Sequence, residues 1–452
     1  VKIGEILKVT GGKLLSGDRN LEIDPAKIST DSRLIKRGEF FIALRGPNFC
    51  GSLFLEDAFK KGAIGAIVED VLDTRYRDSK VLIKVKDAVK ALQNIASAHR
   101  ANFKIPVIAI TGSNGKTTVK EMISAVLATK YSVLKNEGTK NNHIGVPETL
   151  LKLNRRHEIC VLELGTNHRG EIRTLVEIAK PTMAVMTNVG ASHLEHLSDL
   201  GGVFKEKRHI LDSLDRRGVA VVNGDDPYLG KIKSARFKVL RYGFNASSDV
   251  RVSALKKTGS RLDFQVNCKD DYSLKLLGEH NIYNALAAIS VARCFKVGWT
   301  ECKKALLNFR PASMRLNPLT INGIPVINDS YNSNPASMKA ALDTLKGCRA
   351  NARWVVSGDM LELGRGAKRL HRLMGKLVAM SDVTGLLAFG KFSQEMLSGA
   401  RAGGIAENRL WNCSSHSQMA DIIRRVVGVG DIVLIKGSRG MRMERVVEIL
   451  KG

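Results

Sequence analysis

VIAITGSNGKTT, residues 107–118, joins a short apolar run to a glycine-rich turn and the start of an amphipathic helix. Residues 107–110 are apolar and brief enough for a buried strand, and Val119, Met122, Ile123, Val126 and Leu127 then recur at helical spacing. Between them stands Thr111-Gly112-Ser113-Asn114-Gly115-Lys116-Thr117-Thr118. Glycines let the backbone fold closely enough for its N–H groups to surround phosphate oxygens. The helix N-terminus adds the positive end of its dipole. In that setting Lys116 neutralises the β- and γ-phosphates of ATP, and the Thr117 hydroxyl takes Mg²⁺. The spacing departs from G-x-x-x-x-G-K-[ST], because Ile110 occupies the place of the first glycine. A plain turn joining strand to helix is the alternative. The strand–loop–helix setting and the Lys-Thr-Thr ending favour an ATP site.

Working outward, strand and helix patterns alternate, as in a mainly parallel sheet covered by helices. Buried strands are expected at 159–162, 183–187 and 219–222, a period-two antiparallel insertion at 250–276, and an apolar helix at 280–295. Upstream, short strands at 40–44, 63–68 and 81–85 precede a helix at 88–100. The two prolines within 310–318 mark a linker, beyond which strands at 325–327, 354–357, 386–389 and 432–435 suggest a doubly wound, Rossmann-like unit. The fold class is therefore α/β in three domains. These are a smaller N-terminal α/β domain (1–103), a central P-loop-type domain with a mainly parallel sheet (104–310) and a C-terminal domain (311–452).

The chain of 452 residues carries 71 Lys plus Arg against 44 Asp plus Glu, a net charge of +27 that favours anionic partners. The charge is spread without a basic tail or block, and aromatics are only 5%, which argues against nucleic-acid recognition. Seven scattered cysteines without a Cys-x-x-Cys pair indicate neither a disulfide framework nor a zinc knuckle, and reduced thiols fit a cytoplasmic protein. No signal-peptide core opens the sequence and no apolar run is long enough to span a bilayer. Membrane insertion is not expected.

Further residues make chemical sense at their positions. Glu163 follows the strand at 159–162, where open α/β sheets place ligands, and a carboxylate there can hold Mg²⁺ or simply begin a helix. Lys207 falls on the apolar stripe of Val203, Ile210, Leu211 and Leu214; it either snorkels outward or sits where a lysine pKa is lowered. His280, Asn281 and Asn284 share one side of a helix.

With GTKNNHIGVP (138–147), DSYNSNP (329–335), GDMLELG (358–364) and KGSRG (436–440) added to the phosphate loop, the chain resembles the Mur ligase family over nearly its full length. The resemblance implies catalytic roles for Lys116, Glu163, His193, Lys207 and Asp329. His193, in NVGASHLE (188–195), would contact a second Mg²⁺, and Thr117, Glu163, His193 and Lys207 would form the metal set. Lys207 would be carbamylated, with Lys205 as the other candidate for that match, although it lies off the stripe. ATP would lie on residues 111–118 with His280, Asn281, Asn284, Arg315 and Asn332, while Tyr331, Asn334, Lys436 and Arg439 come from the same closing domain. Ser29, Thr30, Asp31, Ser32, Arg33, Arg45, Gly46, Asn141 and Asn142 would bind the UDP-linked substrate. The family continues here with an Asp-Gly-His run, and Cys50-Gly51-Ser52 stands instead, which bears on uridine recognition.

The reaction implied is ATP-dependent joining of D-alanyl-D-alanine to UDP-N-acetylmuramoyl-tripeptide through an acyl phosphate, in peptidoglycan precursor synthesis, by a monomer. Alternatives are a sibling that adds the third amino acid, a folylpolyglutamate synthetase-like ligase, and a nucleotide-binding scaffold without catalysis. The sibling carries an Asp-Asn-Pro-Arg-type motif, against which Asp329-Ser-Tyr-Asn332 argues.

Overall fold

The computed structural model describes residues 1–46, 49–70, 80–258 and 261–452. Three main sheets follow one another along the chain. The first runs Lys13–Ser16, Val81–Lys84, Gly65–Val68, Phe40–Ile42, Ile28–Ser29, with only the Lys13–Ser16 pairing antiparallel. Period-two alternation divides its faces. Phe40 and Ile42 pack under helices Ile3–Thr10 and Ala88–Ala101, and Phe41 packs under Leu55–Lys60.

The phosphate-loop strand is Val107–Thr111, in the middle of a nine-stranded sheet. Ile159–Glu163 and then Val133–Lys135 lie on one side of it. Met183–Met186, Val219–Asn223 and Lys238–Gly243 lie on the other, all parallel. Strand order thus reverses at the strand that carries the loop, the point where open sheets leave a crevice at their C-terminal ends. Helices Lys116–Leu127 and His280–Cys294 cover one face through Val119, Met122, Ile123, Ile282, Leu286 and Ile289. On the other face the core is continuous with that of the first sheet: Val107, Ala109, Cys160 and Leu162 cluster with Leu92 and Ile95 of Ala88–Ala101. The antiparallel end consists of Val250–Thr258, Arg261–Val266 and Asp270–Leu274; within the expected insertion, residues 259–260 lie outside the described residues.

The third sheet runs Asn317–Ile321, Ile324–Asp329, Ile432–Lys436, Arg353–Gly358, Gly385–Phe389, Leu410–Cys413, parallel after the first hairpin. The segment 310–318, expected as a linker, gives its last two residues to Asn317–Ile321. Pro318 is tolerated because that strand is the sheet edge, where a missing N–H costs no ladder bond. Val133–Lys135 and Lys238–Gly243 stand out poorly in the sequence because both are only partly buried and carry cations.

Helices Ala367–Ala379 and Ser393–Ala402 cross backbone to backbone. A Cβ on Gly375 would stand 1.8 Å from the Met396 carbonyl oxygen, and one on Gly399 1.9 Å from that of Arg372. In an exposed helix Gly→Ala gains up to about 1 kcal/mol, but overpacking a close crossing costs about 1–3 kcal/mol, and a clash with backbone falls at the upper end. Gly375→Ala is therefore expected to destabilise the C-terminal unit by about 2 kcal/mol. Urea unfolding followed by Trp354 and Trp411 fluorescence tests this, and a stabilised variant would contradict it.

Candidate active site

A cavity of about 650 Å³ opens between the central and C-terminal sheets, at the reversal point of the strand order. The phosphate loop forms one wall. Gly115 heads helix Lys116–Leu127 at φ +81°, and a Cβ there would stand 2.6 Å from Asn284 Oδ1. At Gly112 a Cβ would come within 1.9 Å of Thr187 Oγ1. These two positions need glycine for the space as well as for the backbone. The loop is then pinned from the next strand. Asn114 N–H donates to Asn188 Oδ1 (2.9 Å), Thr187 Oγ1 donates to the Asn114 carbonyl (2.6 Å), and Gly190 N–H donates to Ser113 Oγ (2.8 Å). Lys116 curls over the loop, donating to the Gly112 carbonyl at 2.8 Å. Burial lowers its pKa, with Glu163 opposing the shift and Arg315 adding to it.

Glu163 ends its strand with only 2% of its surface exposed. Thr117 Oγ1 donates to Oε2 at 2.8 Å and Asn141 Nδ2 donates to Oε1 at 2.7 Å. Asn136 clamps the Glu163 backbone, its Oδ1 accepting from the N–H (2.9 Å) and its Nδ2 donating to the carbonyl (3.0 Å). The buried Lys120 ammonium in turn holds the Asn136 carbonyl at 2.6 Å. Asn136 and Lys120 were not among the sequence candidates. Asn136 borders the GTKNNHIGVP run by two residues, and Lys120 is the one cation on the buried face of its helix.

The C-terminal unit reaches across the cavity. Arg315 Nη2 donates to Thr117 Oγ1 (2.9 Å) while its guanidinium stacks 4.0 Å from the Tyr331 ring. Asn334 caps helix Pro335–Lys346 and donates to Asn114 Oδ1 at 2.9 Å. Asp329 and Lys436 are register partners on adjacent parallel strands, so their side chains meet in a buried ion pair at 2.5 Å. Lys436 also donates to the Asn332 carbonyl (2.9 Å). Asn281 and Asn284 are linked at 2.9 Å below Gly115, and His280 lines the cavity, its pKa lowered by burial although Asp329 pulls the other way. From NVGASHLE, His193 Nδ1 lies 2.5 Å from Glu362 Oε2 of the GDMLELG run, and this contact holds the Glu362 carboxyl below its ordinary pKa.

The family model for the Mur ligase middle domain matches residues 110–292, and that for the Mur ligase glutamate ligase domain matches 314–439. The chain belongs to the Mur ligase family. Among relatives, it is 34% identical to the UDP-N-acetylmuramoyl-tripeptide–D-alanyl-D-alanine ligase of Bacillus subtilis, covering 94% of this chain and 92% of that one. To the enzyme of the same name from Escherichia coli it is 33% identical, covering 100% and 98%. A crystal structure of MurF from Acinetobacter baumannii superposes with a TM-score of 0.90 at 28% identity, covering 100% of this chain and 99% of that one. MurF from Thermotoga maritima in complex with ADP gives 0.84 at 25% identity, covering 95% and 98%.

In this Mur ligase not every candidate residue reaches the cavity. Asn141 and Asn142, grouped by sequence with the UDP-substrate residues, line it, Asn141 on Glu163 and Asn142 accepting from Gly145 N–H at the head of a helix (2.9 Å). Ser29, Thr30, Asp31, Ser32, Arg33, Arg45 and Gly46 lie in the first sheet's unit, away from the cavity lining. There Thr30 donates to Glu148 (2.5 Å), Asp31 pairs with Arg33, and Arg45 pairs with Glu69 and Asp70. Arg439 pairs with Glu444 outside the cavity. Lys207 is not among the residues lining the cavity; it is 1% exposed and without a hydrogen-bond or ion-pair partner among the described residues. Burial and the nearby Lys116 charge push its pKa well below 10.5.

This buried amine costs stability with a definite sign. Between its folded pKa and the ordinary value near 10.5 the unfolded chain binds more protons, so stability rises with pH across that window. In buffer stripped of CO₂, Lys207→Met should stabilise the protein at pH 7 by about 1–3 kcal/mol, the cost of an unpaired buried polar group. That advantage should shrink as pH approaches 10. Chemical unfolding at several pH values reads it out, and a pH-independent gap would refute the assignment.

Proposed function

We propose that this Mur ligase joins D-alanyl-D-alanine to UDP-N-acetylmuramoyl-tripeptide at the cost of ATP, and does so as a cytoplasmic monomer acting on small molecules. The observation that carries this reading is the Lys116–Thr117–Glu163 group facing Arg315 across a cavity, in a chain whose full-length relatives bear that name. Among the described residues no helix is long and apolar enough to cross a membrane.

The donor set fits Mg²⁺. This hard cation binds through one or two protein oxygens plus substrate phosphates rather than a full protein cage. Glu163 and the Thr117 hydroxyl offer such oxygens, and among the described residues no cluster of three or more His, Cys, Asp or Glu side chains is arranged to hold a metal alone. Thr117, Glu163, His193 and Lys207 would hold the two ions of the family pattern, Lys207 after its amine takes up CO₂. The isolated, low-pKa amine supports that modification, because only a neutral amine attacks CO₂. When bound, Mg²⁺ neutralises the β- and γ-phosphate charge.

The tripeptide carboxylate attacks the γ-phosphorus; the bond to the β-phosphate oxygen breaks and ADP leaves. Loop N–H groups, the Lys116 ammonium and the Arg315 guanidinium stabilise charge as it shifts toward the leaving oxygen. The free amine of D-alanyl-D-alanine then attacks the acyl carbonyl carbon, the tetrahedral intermediate expels phosphate, and the nitrogen loses its proton. The cross-cavity contacts of Arg315 and Asn334 hold the two units together, which excludes water from the acyl phosphate.

The test is phosphate release from ATP and Mg²⁺ with UDP-N-acetylmuramoyl-tripeptide, with and without D-alanyl-D-alanine. Release should require both substrates, yield pentapeptide and fall at least ~100-fold in Lys116→Ala. Turnover only with the muramoyl-dipeptide and a diamino acid would move the assignment to the sibling ligase. ATP binding without turnover on either pair would leave a nucleotide-binding scaffold.

A further inference from the structure

His193, which lines the cavity, meets Glu362 of the C-terminal unit, and both hold left-handed backbone, at φ +53° and +62°. Such conformations cost non-glycine residues about 1–2 kcal/mol each and persist where the surroundings over-determine them, often at functional sites. Here the surroundings are each other's loops. Glu195 N–H donates to the Glu362 carbonyl at 3.2 Å, and a Cβ on Gly364 would come within 3.2 Å of Glu195 Cα. Between the loops His193 Nδ1 lies 2.5 Å from Glu362 Oε2.

An ionised carboxylate only accepts, so a ring proton belongs on Nδ1, and in the neutral ring this leaves the Nε2 lone pair free. Nε2 has no hydrogen-bond partner among the described residues, and His193 lines the cavity. A carboxylate on the far nitrogen is the arrangement that orients a metal-binding imidazole and raises its basicity. What is unusual is the carboxylate's origin. His193 follows a strand of the central sheet, whereas Glu362 follows a strand of the C-terminal sheet.

We infer that Glu362 is a positioning residue, which fixes the His193 tautomer and ring for divalent-cation binding at Nε2 and does so across the closed interface between the two units. The inference rests on the ligase reading given above. Closure and cation binding are then one linked equilibrium, because the imidazole is oriented only when the C-terminal unit has docked. Linkage is reciprocal, so the cation bound with nucleotide favours the docked state by the same factor.

The test titrates Mn²⁺ into the full chain with saturating ADP, read by the electron paramagnetic resonance signal of free Mn²⁺. Glu362→Ala should weaken Mn²⁺ binding 10–100-fold, the range for lost carboxylate support of a metal-binding histidine. Glu362→Gln still accepts from Nδ1–H and keeps the shape, so it should fall between, with an unchanged thermal midpoint. In a His193→Ala background, Glu362→Ala should cause no further loss. Unchanged Mn²⁺ affinity in Glu362→Ala would overturn the inference, as would an equal loss in both backgrounds. A raised KM for D-alanyl-D-alanine with Mn²⁺ affinity intact would overturn it too, placing the carboxylate on the dipeptide amine. Pentapeptide formation by the unmodified chain is measured alongside. Its absence, with the Mn²⁺ effects present, would sink the substrate assignment and leave the role of Glu362 standing.

Discussion

The Glu163 carboxylate is withdrawn from water at the point where the central sheet reverses its strand order, and the walls around it are arranged to make that possible. A buried carboxylate is tolerated only with donors on its oxygens. Thr117 supplies one from the first turn of the phosphate-loop helix and Asn141 supplies another from the loop at 136–142. That second loop is itself anchored by Asn136 on the Glu163 backbone and by Lys120 on the Asn136 carbonyl. Two turns of one helix, one strand end and one loop are thereby fixed relative to a single anion. The donors are also the groups a nucleotide-bound cation would displace or share, so binding would reorganise the network that holds Glu163.

The positions of the strands were legible in the sequence where burial was near complete; their order in the sheets was not. Residues 107–110, 159–162 and 219–222 are unbroken apolar runs because both faces of a parallel strand are covered, and the structure extends each by only one residue at its end. Val133–Lys135 and Lys238–Gly243 were not, since a partly buried strand with lysine or arginine in it has no pattern to separate it from a loop. The same limit governed the site. Glycines and hydroxyls of the phosphate loop announce themselves by local spacing. Asn136, Lys120 and Glu362 act through contacts 16 to 169 residues distant in sequence, and no local pattern distinguishes such an asparagine from a turn residue or such a glutamate from a surface one. The chemistry of Asn141 was plain in the sequence, but its bond to Glu163, 22 residues away, depended on the fold.

Four lysines stand near this centre, three of them buried, and they answer their charge in different ways. Lys120 and Lys436 are neutralised locally, by Glu121 with backbone carbonyls and by Asp329 with the Asn332 carbonyl. Lys116 donates to carbonyls and feels the Glu163 charge, while Lys207 has no hydrogen-bond or ion-pair partner among the described residues and, of opposite charges, feels only that of Glu206. The first pair secures structure; Lys116 faces the cavity, and Lys207 is pushed toward the neutral amine by burial and by the Lys116 charge. Burying the Lys207 amine without a hydrogen-bond or ion-pair partner costs stability that Lys120 and Lys436 do not forfeit. This local excess accounts for little of the net charge of +27, most of which is spread over exposed positions.

The contacts that complete the site are shared between two separately built sheets. Arg315, Asn334 and Glu362 belong to the C-terminal unit, and each meets a partner on or beside the phosphate loop's own sheet. None of the three is an apolar packing contact. Polar bridges of this kind contribute about 1 kcal/mol apiece, enough to define one docked geometry but not enough to make it permanent. A large hydrophobic interface would have held the units shut and trapped the product. A purely solvent-filled gap would have left a reactive acyl phosphate open to water. Directional hydrogen bonds beside the cavity, added to the apolar contact of Leu277 with the C-terminal core, make docking depend on what lies in the cavity.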